Sequence, residues 1–211
     1  MPRARVPFAA GRLWLDFVNT DEAPRHAQGD MLASFDGYLA WLERSALIDA
    51  ARRTALQRRA LEQPASATAT LHEARRVRSA LRPLAEHGVH ASERVTQAAM
   101  LEINRVLGRS TGVRRVGQDA RDGSFHRTFL PSGDAFAALV IPVVESAADA
   151  LVTGELARVR RCVAEPPCPR VFLDTSRSGR RRWCDMRSCG NRNKAARHRA
   201  ASQVRRRTPP S

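Results

Sequence analysis

Four cysteines, Cys162, Cys168, Cys184 and Cys189, are the only ones in the 211-residue chain, and they follow one another as C-x5-C-x15-C-x4-C. Four thiolates in two pairs suit a borderline-soft ion such as zinc, which takes them in a tetrahedron. A four-thiolate sphere is closed and leaves no position for water, so one such ion would be structural rather than catalytic. Two disulfides, another metal, or unrelated cysteines are the competing readings; disulfides require an oxidising compartment. The first pair is wide for a structural site, and Pro166 and Pro167 lie inside it.

The segment carrying the cysteines needs a staple. Residues 155–211 offer Leu156, Val159, Val163, Val171, Phe172, Leu173, Trp183, Met186 and Val204 as bulk, too little for an independent core. Between the pairs, VFLD-TSRSGR-RRWC reads as a hairpin turning at Ser178-Gly179. After Cys189, Gly190 permits a tight turn and Asn191 is a candidate N-cap. The following RNKAARHRAASQVRRR has helical character. A helix there would carry Arg192, Arg199 and Arg206 on one stripe and Lys194, Arg197 and Arg205 on the next.

Charge is segregated in the same way. Residues 1–154 hold 20 Arg against 17 Asp/Glu, a net of +3, whereas residues 155–211 hold 16 Arg/Lys against 4 Asp/Glu, a net of +12. A basic module on a near-neutral body suggests a polyanionic partner. Its apolar content is too low for a helix lying on a membrane, which disfavours that polyanion and favours nucleic acid; a solvated helix with a frayed arginine tail is the bland alternative. Arg180, Arg181, Arg182, Arg192, Lys194, Arg197, Arg199, Arg205 and Arg206 are the candidate contacts. Trp183 reads as packing beside a ligand, with base stacking the alternative. Asp174 reads as a local turn contact with Thr175 or Ser176, or an arginine partner. His198 reads as a surface residue, since four cysteines suffice.

The body that presents this module reads as helical. GRLWLDFVNT, 11–20, fits both an alternating strand and one helix face; the alternation of Leu13, Leu15 and Phe17 favours a strand. Helices follow from Ser34, over 51–63, 66–88 and 91–110, with Pro83 near the end of the third. GVRRVGQ and SFHRTFL, split by DARDG, predict a hairpin, and 133–154 reads as a long apolar helix bent at Pro142. Asp16, Asn19 and Thr20 form a polar cluster amid apolar neighbours; they either satisfy nearby backbone groups or line a small-ligand pocket. No secretion signal or membrane span is visible, so a cytoplasmic protein with reduced thiols is expected. No P-loop, G-x-S-x-G, dinucleotide or H-E-x-x-H pattern occurs, and no catalytic residues are assigned.

Cys189-Gly190-Asn191-Arg192, with Trp183-Cys184 before it, Lys194 after it and FLDTS and RRWC upstream, resembles the CGNR zinc finger. LWLDFVNT resembles the start of the ABATE domain, which precedes such fingers in bacterial proteins grouped as stress-induced transcription regulators. The first cysteine pair is spaced more widely than in that finger. The resemblance implies one zinc on the four cysteines and DNA binding. It also implies an α+β fold: a helix-rich N-terminal domain with a few short strands over 1–154, then a zinc-stabilised hairpin-plus-helix, treble-clef-like finger over 155–211. The expectation is a non-enzymatic regulator that binds duplex DNA, with the N-terminal domain dimerising or sensing a small-molecule effector. An RNA-binding accessory protein, or an enzyme domain targeted by a finger, is the competing class.

Overall fold

The computed structural model describes residues 10–21, 29–109, 111–118, 123, 125–132, 136, 138–165, 167–196 and 198. The first element is a helix, α1 (Leu13–Val18), continued by a 3-10 turn, Asn19–Asp21. This corrects the strand expected there. Leu13, Trp14, Leu15, Phe17 and Val18 are all buried, so α1 is surrounded by core and its apparent alternation marks no single face.

Helices α2 (Phe35–Arg44), α3 (Ala50–Glu62), α4 (Pro64–His87) and α5 (Glu93–Arg109) follow. Ser34 caps α2 as expected, its hydroxyl accepting from Gly37 N at 3.0 Å, and Asp49 caps α3 through Arg52 N at 2.7 Å. Pro64 occupies the first turn of α4, where its missing N–H leaves no helix bond unmade. Leu71, Ala74, Val77, Leu81 and Leu84 form the buried stripe of α4. Two seven-residue strands, β1 (Gly112–Gln118) and β2 (Phe125–Pro131), pair antiparallel as predicted.

Helix α6 (Ile141–Val152) is shorter than the helix expected over 133–154. Pro142 lies in its first turn rather than bending its middle, and the described residues just before it, 138–140, form a turn. α1 packs against α4 and α6, and α4 against α5. Phe17 meets Trp41 edge-on at 5.1 Å between ring centroids in the centre of this body.

The cysteine segment contributes a second ribbon, β3 (Val159–Arg161) and β4 (Val171–Leu173), paired as Val159 with Leu173 and Arg161 with Val171. The hairpin expected between residues 171 and 184 is absent from the described residues. β4 pairs backwards to β3 instead, and Arg182 O accepts from Val163 N at 3.0 Å. The turn at Gly179 exists, with φ 64° and Gly179 N donating to Ser176 O.

The outer edge of β4 is satisfied by the first body. Leu173 N donates to Ala10 O at 2.8 Å. Asn19 Nδ2 donates to Val171 O at 2.9 Å, and Val171 N donates to Asn19 Oδ1 at 3.0 Å. A side-chain amide carries the same donor and acceptor as a peptide, so Asn19 stands in for a strand residue. Gly11 belongs to this junction: its φ is +87°, and a Cβ there would lie 3.2 Å from Leu173 Cβ. Gly88 does the same where α4 ends, with φ +54° and Leu156 O 3.0 Å from the position of a Cβ. One contiguous set of buried side chains runs from Trp14 and Phe17 to Val171, Phe172 and the cysteines.

Candidate metal centre

The ribbon fixes the first cysteine pair. Cys162 follows β3 directly, and its N–H donates to Arg170 O at 2.9 Å; Cys168 lies three residues before the start of β4. The second pair comes from the return of the chain. Cys184 N donates to Cys162 Sγ at 3.5 Å, and Cys189 lies in a π-helical turn, Met186–Gly190. All four sulfurs lie within 4.8 Å of one another. Cys184 Sγ is 3.6 Å from Cys189 Sγ and 3.8 Å from Cys168 Sγ. A tetrahedron with zinc–sulfur bonds of about 2.3 Å has sulfur–sulfur edges of about 3.8 Å, so the cluster has the size zinc requires.

The charge balance points the same way. Burial and the charge of neighbouring sulfurs push the Cys184 thiol up, and burial pushes Cys168 up to about 11. Burial also acts against ionising Cys162, but N–H groups of Cys184 and Ala164 overcome it and hold that thiol below its ordinary value. Four thiolates this close require a compensating cation. A bound zinc would supply that charge and cross-link the segment; Cys162, Cys168, Cys184 and Cys189 would hold it.

Asp174 organises the loop around the centre. It is fully buried, and its Oδ1 accepts from Ser176 N at 2.9 Å and Ser176 Oγ at 2.6 Å, while Oδ2 accepts from Arg181 N at 2.9 Å. Burial opposes its ionisation, but these donors hold the carboxyl below its ordinary range. The local turn contact expected of Asp174 is formed with Ser176, and the charge of Arg158 adds to it. Asp185, not Asn191, caps the next turn by accepting from Arg187 N at 2.8 Å. Asn191 is already helical, at φ −67° and ψ −40°, because the π turn runs straight into the helix. The described residues of that helix are 191–196 and 198.

The candidate cations divide into two groups. Arg181 turns inward: its guanidinium lies 4.7 Å from the Phe172 ring centroid, its Nε donates to Trp183 O at 2.8 Å, and its Nη2 donates to Cys184 O. Arg192 Nη2 donates to Cys189 Sγ at 3.2 Å, a cation set against a ligand sulfur. Arg180, Arg182 and Lys194 are exposed, Arg182 lying over the half-buried Trp183 ring at 5.6 Å. Arg197, Arg199, Arg205 and Arg206 lie outside the residues whose side chains are described. His198 is exposed on the helix.

The N-terminal polar cluster lies at the junction between the helical body and the ribbon. Asp16 Oδ1 accepts from Ala10 N at 3.1 Å, which places the Ala10 carbonyl that receives Leu173. Thr20 Oγ1 donates to Phe17 O at 2.6 Å and accepts from Arg78 Nη1 at 3.0 Å. Sequence reasoning missed Arg82, whose guanidinium donates to Val18 O at 3.3 Å and Pro169 O at 3.0 Å and pairs with Asp21 at 3.2 Å. No local pattern distinguishes it from the other arginines of α4.

Fold and centre together define a four-cysteine zinc module docked on a helix-rich body. The chain belongs to the ABATE family, described as "putative stress-induced transcription regulator", whose profile matches residues 11–155, and it carries a CGNR zinc finger over residues 158–202. Cys162, Cys168, Cys184 and Cys189 are the cluster for its one structural zinc. A comparison with curated proteins finds no match. No helix among the described residues is long and apolar enough to cross a membrane.

Proposed function

We propose that the protein is a DNA-binding transcription regulator in which the zinc module carries a cationic surface to duplex DNA. The observation that carries this reading is the division of the finger's cations. Arg181 and Arg192 are spent on the knuckle, whereas Arg180, Arg182 and Lys194 are exposed beside it. Residues 155–211 keep a net charge of +12, and four thiolates with one zinc subtract two from it, enough to neutralise several phosphates. Arg197, Arg199, Arg205 and Arg206 extend the same basic segment.

A single short helix reads few base pairs, so sequence-selective binding asks for a second copy and two half-sites. In this reading the helical body dimerises or responds to an effector, and it performs no catalysis.

Selection from a random duplex DNA library, with zinc-loaded and chelated protein in parallel, tests the proposal. A motif enriched only with zinc is expected, and a palindromic motif would identify the dimer. Each of Arg180→Ala, Arg182→Ala and Lys194→Ala should lower the salt dependence of binding by about one counterion where the side chain contacts a phosphate. Equal enrichment with chelated protein, or no enrichment with either, would overturn it. Competition by structured RNA or single strands in the same assay separates the RNA-binding alternative.

A further inference from the structure

We infer that the Ala10–Asn19 stretch and Arg82 are positioning groups for the metal centre, holding the first cysteine pair in place whether or not zinc is bound. The inference is independent of DNA binding and concerns how the finger acquires its ion.

Apolar contact alone would dock the ribbon but would not set its register. Asn19 does, because it is buried and bonds both the N–H and the C=O of one residue, Val171, across 152 positions of sequence. A slip of β4 by one residue would turn those two groups away and leave the amide unpaired in the core. Ala10 O, held by Asp16 through the Ala10 N–H, fixes the next outward-facing N–H, that of Leu173. Arg82 holds Pro169 O, the carbonyl immediately after Cys168, while its own position is set by Val18 O, Asp21 and Glu86.

These contacts end close to the ligands. Cys168 lies three residues before Val171, and Cys162 directly follows Arg161, which is the β3 partner of Val171. Setting the register of β4 therefore sets the separation of the first two sulfurs. Small zinc modules that stand alone are unfolded without metal, because nothing else gathers their ligands. Here the Ala10–Asn19 stretch and α4 gather two of the four. The second pair has no comparable tie: among the described residues, Arg181 and the Asp185 cap hold it from within the module.

The two-stage arrangement predicts that zinc affinity depends on a side chain that touches no ligand. Linkage makes the dependence reciprocal, so zinc stabilises the docked ribbon by the same factor.

The test uses the full-length protein. Zinc affinity is measured by competition with a chromophoric chelator for wild type, Asn19→Ala, Arg82→Ala and a control, Leu56→Ala, whose side chain is buried on α3. Asn19→Ala should bind zinc at least tenfold more weakly, Arg82→Ala severalfold more weakly, and Leu56→Ala as wild type does. Hydrogen exchange on zinc-free protein supplies the second readout. Amides of 171–173 should stay protected in wild type while those of 186–190 exchange freely, and Asn19→Ala should release 171–173. Should Asn19→Ala not fold, Arg82→Ala carries the test, since it leaves the Asn19–Val171 pair intact. Unchanged affinity in the folded positioning variants, an equal fall in Leu56→Ala, or free exchange of 171–173 in the zinc-free wild type would overturn the inference.

Discussion

Among the described residues, two antiparallel ribbons obey opposite rules. β1–β2 has seven residues per strand and a full ladder, yet Val113, Val116 and Phe125 on it are 52%, 72% and 73% exposed. β3–β4 has three residues per strand, yet every residue of β4 is buried and its free edge is bonded to Ala10 and Asn19. An isolated two-stranded ribbon is marginal in water however many ladder bonds it makes, because each bond replaces one to solvent. The short ribbon gains from what covers it: Phe172 at 0% exposure, Leu173 against Gly11, and an edge with partners on both sides. Burial and edge satisfaction, rather than ladder length, decide which ribbon organises a site.

The largest effect expected from breaking this contrast comes from the centre itself. Cys184→Ser removes the sulfur that is within 3.6–3.8 Å of two others. The zinc-to-protein ratio, measured by atomic emission on purified protein, should fall from one to near zero, and the stability loss should exceed about 4 kcal/mol. Retention of stoichiometric zinc would mean that three cysteines and another group suffice.

Next comes the comparison of like residues in the two ribbons. Phe172→Ala deletes a fully buried ring that also stacks under Arg181, and should cost about 3–5 kcal/mol in denaturant unfolding. A cost under about 1 kcal/mol would mean that β4 contributes little to the common core.

What the sequence revealed follows the range of the interactions involved. The cysteine ligands were legible because ligand chemistry is written in residue type and spacing. The Ser34 cap and the β1–β2 hairpin were legible because their partners are a few residues away. The strand expected over 11–20 failed because a helix buried all round, as α1 is, leaves no one-sided pattern. The hairpin expected over 171–184 failed because the apolar run VFL identifies a strand without naming its partner, and β3 lies upstream. Asp16 and Asn19 were recognised as polar groups needing partners, but those partners lie at the far end of the chain for Asn19 and act through Ala10 for Asp16.

A smaller effect tests the loop that joins the ribbon to the second cysteine pair. Asp174→Ala leaves Ser176 N and Arg181 N without their acceptor and should cost about 1–3 kcal/mol. The acid limb of stability carries the same information. The Asp174 carboxyl is held below its ordinary value of 3.8, so the folded state binds its proton less readily than the unfolded chain does. Its contribution is therefore present above the ordinary value and is lost as pH falls through the folded one. Denaturant unfolding of zinc-free protein between pH 5 and pH 2 should show a shallower decline for Asp174→Asn than for wild type; identical slopes would remove Asp174 from the account.

The smallest effect closes the comparison. Phe125 is an aromatic residue in a strand, as Phe172 is, but it is 73% exposed where Phe172 is 0% exposed. Phe125→Ala deletes the same ring, but most of that ring's surface is already in water. Stability should change by less than about 0.5 kcal/mol, the range of exposed substitutions away from special features. The ratio of the two costs, rather than either alone, measures what docking adds to a strand. If Phe125→Ala proved as costly as Phe172→Ala, the long ribbon would have to be covered in solution by another surface, and concentration-dependent sedimentation would reveal whether that surface is a second copy of the chain.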